Sequence, residues 1–244
     1  MKKLYEKDPV WFAVLWILIY VIGFGNADTL SLAMGIPKLL TCVLGIVLSV
    51  LLYRFIRRQG LAQHFGLCAF RGSLPAFLYF LPLLAISSVN LWYGFVLQES
   101  ARNILLYILS MCCVGFLEEV IFRGLLFKGL CQINVRTAIL VSSLTFGMGH
   151  IVNLLLGAPL FETLLQLINA SAIGFCYTAV FYAGGSILPC ILSHAFINCS
   201  SIFARDPSDW VHILTTVIQL ILNMWYGFRL LRRSAHLTNG ENGL

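Results

Sequence analysis

Gly115-Phe-Leu-Glu-Glu-Val-Ile-Phe-Arg-Gly124 sets two adjacent carboxylates and an arginine inside a segment that is otherwise membrane-like. From Tyr107 to Phe127 there is no other charge. An ionisable side chain at that depth costs about 2.5 to more than 10 kcal/mol, so three on one helix call for a function. Glu119 and Arg123 stand at i and i+4, with the acid N-terminal to the base as a helical ion pair prefers. Glu118 is turned about 100° from Glu119 by a repeat of 3.6 residues. Arg123 can therefore neutralise Glu119, which leaves Glu118 for other work.

The rest of the chain fits a membrane setting. Of 244 residues, 59% are hydrophobic and 11% charged, with a mean hydropathy of +0.89. Soluble domains carry about 25% charged residues. The fold class expected is all-α, a polytopic membrane helix bundle forming one integral membrane domain over 1–244. A span needs about 20 apolar residues. Eight stretches qualify, at 10–26, 33–53, 74–97, 104–127, 137–157, 163–183, 186–204 and 210–228, with Gly184-Gly185 a tight turn between the sixth and seventh. The N-terminal run has the outline of a signal peptide, with Lys2 and Lys3 ahead of it and Gly25-Asn26-Ala27 after it. Its length and its Trp and Tyr content favour an uncleaved first span. The polar tail, Thr238 to Leu244, is expected to fray.

Charge sets an orientation. With the N-terminus cytoplasmic, that side collects Lys2, Lys3, Lys7, Arg54, Arg57, Arg58, Arg71, Lys128, Arg136, Arg229, Arg232 and Arg233, and the other only Lys38, Arg102 and Arg205. Such an asymmetry is the positive-inside pattern, and an even number of spans places both termini in the cytoplasm. The net charge of +6 is thereby accounted for without a nucleic-acid partner. The loop from Arg54 to Arg71 is either a solvated connector or a basic, partly apolar segment lying on the leaflet. Eight cysteines are scattered without a CxxC pair, which reads as buried free thiols.

Two further spans carry polar residues at i, i+4 spacing: Phe146-Gly-Met-Gly-His150 and His194-Ala-Phe-Ile-Asn198. At 1.5 Å per residue, Glu118, His150 and His194 lie about 12 to 21 Å from the cytoplasmic ends of their spans, so they can converge. Gly115, Gly147 and Gly149 beside them serve close helix packing or leave room for a cavity. A carboxylate and a histidine facing one cavity can hold and deprotonate a water. A second histidine and an asparagine can donate to a developing oxyanion. Other intramembrane protease chemistries fit less well. There is no HExxH zinc pair and no GxSxG, and Ser186 sits at a span edge. The four aspartates, Asp8, Asp28, Asp206 and Asp209, are assigned to loops, and nothing nearby activates Cys112 or Cys113.

Taken together, Glu118-Glu119-x-x-x-Arg123, Phe146-x-x-x-His150 and His194-x-x-x-Asn198, in this order on three spans, resemble the CPBP family. This is the CAAX-protease and bacteriocin-processing (Abi) group of intramembrane endopeptidases. The resemblance covers a catalytic core of 104–204, and no motif residue departs from the pattern. It implies eight helices in a membrane, with Glu118 and His150 activating water. It implies an oxyanion site of His194 and Asn198, and support from Glu119 and Arg123. The partners implied are the lipid bilayer and a membrane-associated peptide or protein, cleaved near its cytoplasmic boundary. The compact chain is closer to bacterial members, in the cell membrane, associated with peptide maturation, bacteriocin immunity or regulation of signalling. No cofactor is preferred, because the ligand spacing is unlike the usual zinc motifs. A zinc ion, if bound, would take Glu118, His150 and His194. The rival expectation is a non-catalytic immunity or scaffold protein, or a small transporter using the polar cavity.

Overall fold

The computed structural model describes residues 1–69 and 80–241, with side chains through 233. Arg71, the start of the expected 74–97 span and residues 242–244 fall outside the described residues. The described residues are helical apart from turns and a single bridge between Phe95 and Ala204.

The helices begin and end where local chemistry directs. A short α1, Lys2–Lys7, leads to α2, Pro9–Ala33. Asp8 caps α2 by accepting from the Val10 and Trp11 amides at 3.0 Å, and Pro9 follows at the first helical position. After α3, Leu39–Arg58, come the one-turn-and-more α4, Leu81–Ser87, and a 3-10 turn at Val89–Tyr93. Ser100 caps α5, Ala101–Cys131, and Asn134 caps α6, Val135–Leu155. α7, Leu160–Gly184, stops at Gly185 in the left-handed conformation (φ 69°), the turn expected from Gly184-Gly185. α8, Leu188–Phe203, and α9, Asp209–Glu241, complete the bundle. Thr238, expected in a frayed tail, is within α9.

Six helices, α2, α3, α5, α6, α7 and the Asp209–Arg233 part of α9, are long and apolar enough to cross a membrane. The chain is an integral membrane protein with an all-α fold. The expected count of eight is therefore approximate. The 186–204 stretch forms a shorter apolar helix, and the described part of 74–97 is broken: Pro82 opens α4, Gly94 turns at φ 86°, and polar residues follow. The chain on either side of residues 70–79 is nonetheless pinned to opposite ends of α8. At one end the Ile187 amide donates to Gly66 O at 3.0 Å and Ser186 Oγ to Cys68 O at 2.9 Å. At the other, the Val96 amide donates to Phe203 O at 2.8 Å.

The Arg54–Arg71 stretch begins within α3, and at its centre Gln63 and His64 are exposed. Phe65 is buried, edge-on to Tyr5 and packed where Gly124 leaves space. All eight cysteines are free, but only Cys42, Cys176 and Cys190 are buried, and Cys112 is exposed on the bundle surface.

Candidate active site

α5 is not uniformly α-helical. From Glu119 to Phe127 it widens into nine residues of π-helix, all buried, before closing again at Lys128. Widened turns of this kind, with i→i+5 bonding, recur at functional sites. This one begins at the second glutamate of the pair.

Glu119 and Arg123 meet as expected: Arg123 Nη1 is 3.1 Å from Glu119 Oε1, and both side chains are 0% exposed. The guanidinium also lies over the Phe146 ring, 4.1 Å from its centroid, and 5.6 Å from that of Tyr177. A weakly hydrated, delocalised cation suits such an aromatic slot. Phe146, read from the sequence only as a marker one turn before His150, is thus the floor beneath Arg123. It also meets His150 and His194 edge-on, at 5.9 and 5.7 Å.

His194 of α8 sits between the two carboxylates. Its Nδ1 is 2.8 Å from Glu119 Oε1, and its Nε2 is 3.4 Å from Glu118 Oε2. The first contact is a hydrogen bond. The second is charge proximity only, and Glu118 Oε2 is a buried acceptor without a hydrogen-bond partner among the described residues. Glu118 Oε1, by contrast, accepts a 2.6 Å hydrogen bond from Tyr20 of α2.

Close helix contact brings these groups together. A Cβ on Gly115 would stand 2.9 Å from the Ala195 amide nitrogen, so only glycine lets α5 approach α8 beside His194. Gly147 likewise leaves room for Ser171 of α7, whereas Gly149 has open space around it. Next to His194, Ser193 accepts from Tyr177 at 2.7 Å and donates to Ser87 at 2.6 Å, and Ser87 ends the chain on Leu83 O. That chain fixes α8 against α4 and α7.

Among the described residues, no hydrogen bond joins His150 or Asn198 to the two carboxylates. They line, with Glu118 and Tyr20, a cavity of about 470 Å³. A smaller space of about 170 Å³ beside it joins Glu118, His150, His194 and Asn198 on one wall. The larger cavity is built from the C-terminal half of α2, the start of α3, α5 from Tyr107 to Phe122 and the ends of α6 and α8. It therefore leads toward the end of the bundle opposite Arg54–Arg58, Lys128, Arg136 and the α9 arginines. Asp28, assigned to a loop from sequence, is in α2 and lines this cavity.

Among the described residues, no three His, Cys, Asp or Glu side chains are grouped so that they could hold a metal ion. Of the suggested set of Glu118, His150 and His194, His194 has Nδ1 on Glu119 and Nε2 directed at Glu118.

Tyr20, Tyr177 and Ser193 were not singled out from sequence. A tyrosine or serine in an apolar span is unremarkable alone, and nothing local links Tyr20 to a carboxylate 98 residues away.

Residues 100–200 match the family model described as type II CAAX prenyl endopeptidase Rce1-like. This segment contains all six motif residues, so the stretch that carries the motifs is similar to the CAAX-protease family. Comparison with curated proteins and with solved structures gives no match.

Proposed function

We propose that the protein is an intramembrane endopeptidase that hydrolyses a peptide bond of a membrane-associated peptide or protein with a water activated by Glu118 and His150. The observation that carries this reading is the asymmetry of Glu118. One oxygen is anchored by Tyr20, while the other is a buried acceptor without a hydrogen-bond partner, on a carboxylate that lines the cavity shared with His150 and Asn198. A base must be within hydrogen-bond reach of the proton it takes.

In the proposed reaction, Glu118 Oε2 takes a proton from the water as its oxygen bonds to the scissile carbonyl carbon. His150 orients the water. The carbonyl oxygen, now negative, accepts from Asn198 and from Nε2–H of His194, which donates there as the imidazolium because its Nδ1–H is given to Glu119. The proton held by Glu118 then passes to the amide nitrogen as the C–N bond breaks, giving an amine and a carboxylic acid, which ionises to release the second water proton. Glu119 and Arg123 are positioning residues: Glu119 fixes the ring of His194, and Arg123 balances Glu119. The reaction so written uses no metal.

The positive-inside asymmetry supports both termini in the cytoplasm. The cavity then faces the non-cytoplasmic side, because it leads away from the basic clusters. Cleavage near the non-cytoplasmic boundary accordingly replaces the cytoplasmic one expected from sequence. The test of the reading is mass spectrometry of membrane peptides from cells carrying wild-type or Glu118→Gln protein. A cleaved product present only with the wild type supports it; identical peptide sets overturn it.

A further inference from the structure

The seam between α5 and α8 carries a pair of thiols that the proposed hydrolysis does not use. Cys112 of α5 and Cys199 of α8 are both free, and their sulfurs are 3.8 Å apart. The Cys199 thiol also donates to Ile108 O of α5 at 3.6 Å, which keeps its sulfur turned toward that helix.

The pair shares its register with the site. Further along the same seam Gly115 lies against Ala195, and then Glu119 against His194. Numbers rise along α5 as they fall along α8, so the two helices run antiparallel here. The neighbouring Cys113 points elsewhere: a Cβ on Gly45 of α3 would stand 2.9 Å from Cys113 Cβ. α5 therefore aims Cys112 at α8 and Cys113 at α3.

Exposure decides what reaches the pair. Leu105 and Leu109 are exposed, and exposed Cys112 continues them at i, i+4, i+7 spacing on one face of α5. Leu192 and Phe196 are exposed, and half-buried Cys199 continues them at the same spacing on α8. In a membrane protein such apolar stripes face acyl chains. Cys112 lies eleven residues past Ala101, about 16 Å along α5. Cys199 also borders a space of about 280 Å³ walled by Phe95, Phe196 and Phe203. The thiols are thus open to lipid-soluble molecules.

We propose that Cys112 and Cys199 form a redox-modification site, oxidised by a lipid-soluble hydroperoxide to a disulfide that locks α5 to α8. The sulfurs are already in contact, so the bond asks for side-chain rotation rather than movement of the helices. The Cys112 sulfur attacks the terminal peroxide oxygen and the O–O bond breaks. The alkoxide takes the thiol proton and leaves as an alcohol, and Cys112 becomes a sulfenic acid. The Cys199 sulfur then displaces that oxygen, which leaves with the Cys199 proton as water while the S–S bond forms. Each sulfur gives up one electron, and the peroxide gains both.

The test uses the full chain, purified in detergent with its thiols reduced, then treated with cumene hydroperoxide. The expected result is an intact mass lower by two hydrogen atoms. Peptide mapping without reduction should recover one linked pair of peptides, holding Cys112 and Cys199. Dithiothreitol should restore the mass and both alkylatable thiols. The linked form should unfold about 4 °C or more above the reduced form, because the cross-link constrains the unfolded chain. Cys112→Ser and Cys199→Ser should each abolish the link, and Cys113→Ser should keep it. An unchanged mass, a wild-type link through another cysteine or between two chains, or a linked form no more stable than the reduced one overturns the proposal. Hydrolysis does not enter these readouts, so the proposal stands or falls apart from the role given to Glu118.

Discussion

Tyr20 donates its hydroxyl to Glu118 Oε1 at 2.6 Å, tying the first long helix to the carboxylate at the centre of the bundle. The bond fixes which oxygen of Glu118 remains for chemistry. Hydrogen bonds to charged groups contribute about 1.5–3 kcal/mol. Tyr20→Phe should therefore lower kcat about tenfold or more while KM changes little, because Glu118 loses its orientation and the cavity keeps its shape. A fall in stability with unchanged kcat per folded molecule would make Tyr20 a purely structural contact.

Glu118→Gln preserves shape and removes the proton acceptor. Cleavage should fall by about 10²- to 10⁴-fold, the usual contribution of a positioned base, while the thermal unfolding profile is retained. His150→Ala should give a similar loss. His194→Ala and Asn198→Ala should each lose about 10²- to 10³-fold as oxyanion donors.

Prolonged chelation of the purified, active protein should leave cleavage unchanged. Loss of activity on chelation, restored by added zinc, would mean that Glu118, His150 and His194 rearrange around an ion.

Arg123 is fully enclosed with Glu119, against Phe146. Removing one partner of a buried pair strands the other charge, at a cost of about 3–5 kcal/mol. Arg123→Ala should lower the yield of folded protein in detergent along with activity. A variant as stable as the wild type yet inactive would move Arg123 into direct substrate contact.

Gly115→Val should separate α5 from α8, since even a Cβ there would stand 2.9 Å from the Ala195 amide. Overpacking of this order costs about 1–3 kcal/mol. The activity loss should exceed the loss of folded protein, because His194 adjoins the displaced backbone. Reporter fusions check the orientation on which sidedness depends: the C-terminus should read cytoplasmic and a fusion after Arg205 non-cytoplasmic.

The sequence by itself determined the membrane setting, the helical class and the Glu119–Arg123 pair. These follow from local rules: apolar runs of spanning length, caps such as Asp8 and Asn134, and side chains one turn apart on one helix. The three polar motifs marked α5, α6 and α8 as the helices that meet. Only the tertiary structure decided that His194 stands between Glu118 and Glu119, that Phe146 supports Arg123, and that Tyr20 claims one oxygen of Glu118. It also turned the cavity toward Asp28 and Lys38. Those relations depend on how far helices approach and how they rotate about their axes. Such distances are set by packing at glycines like Gly115 and Gly147, between residues far apart in the chain, where no sequence period reaches.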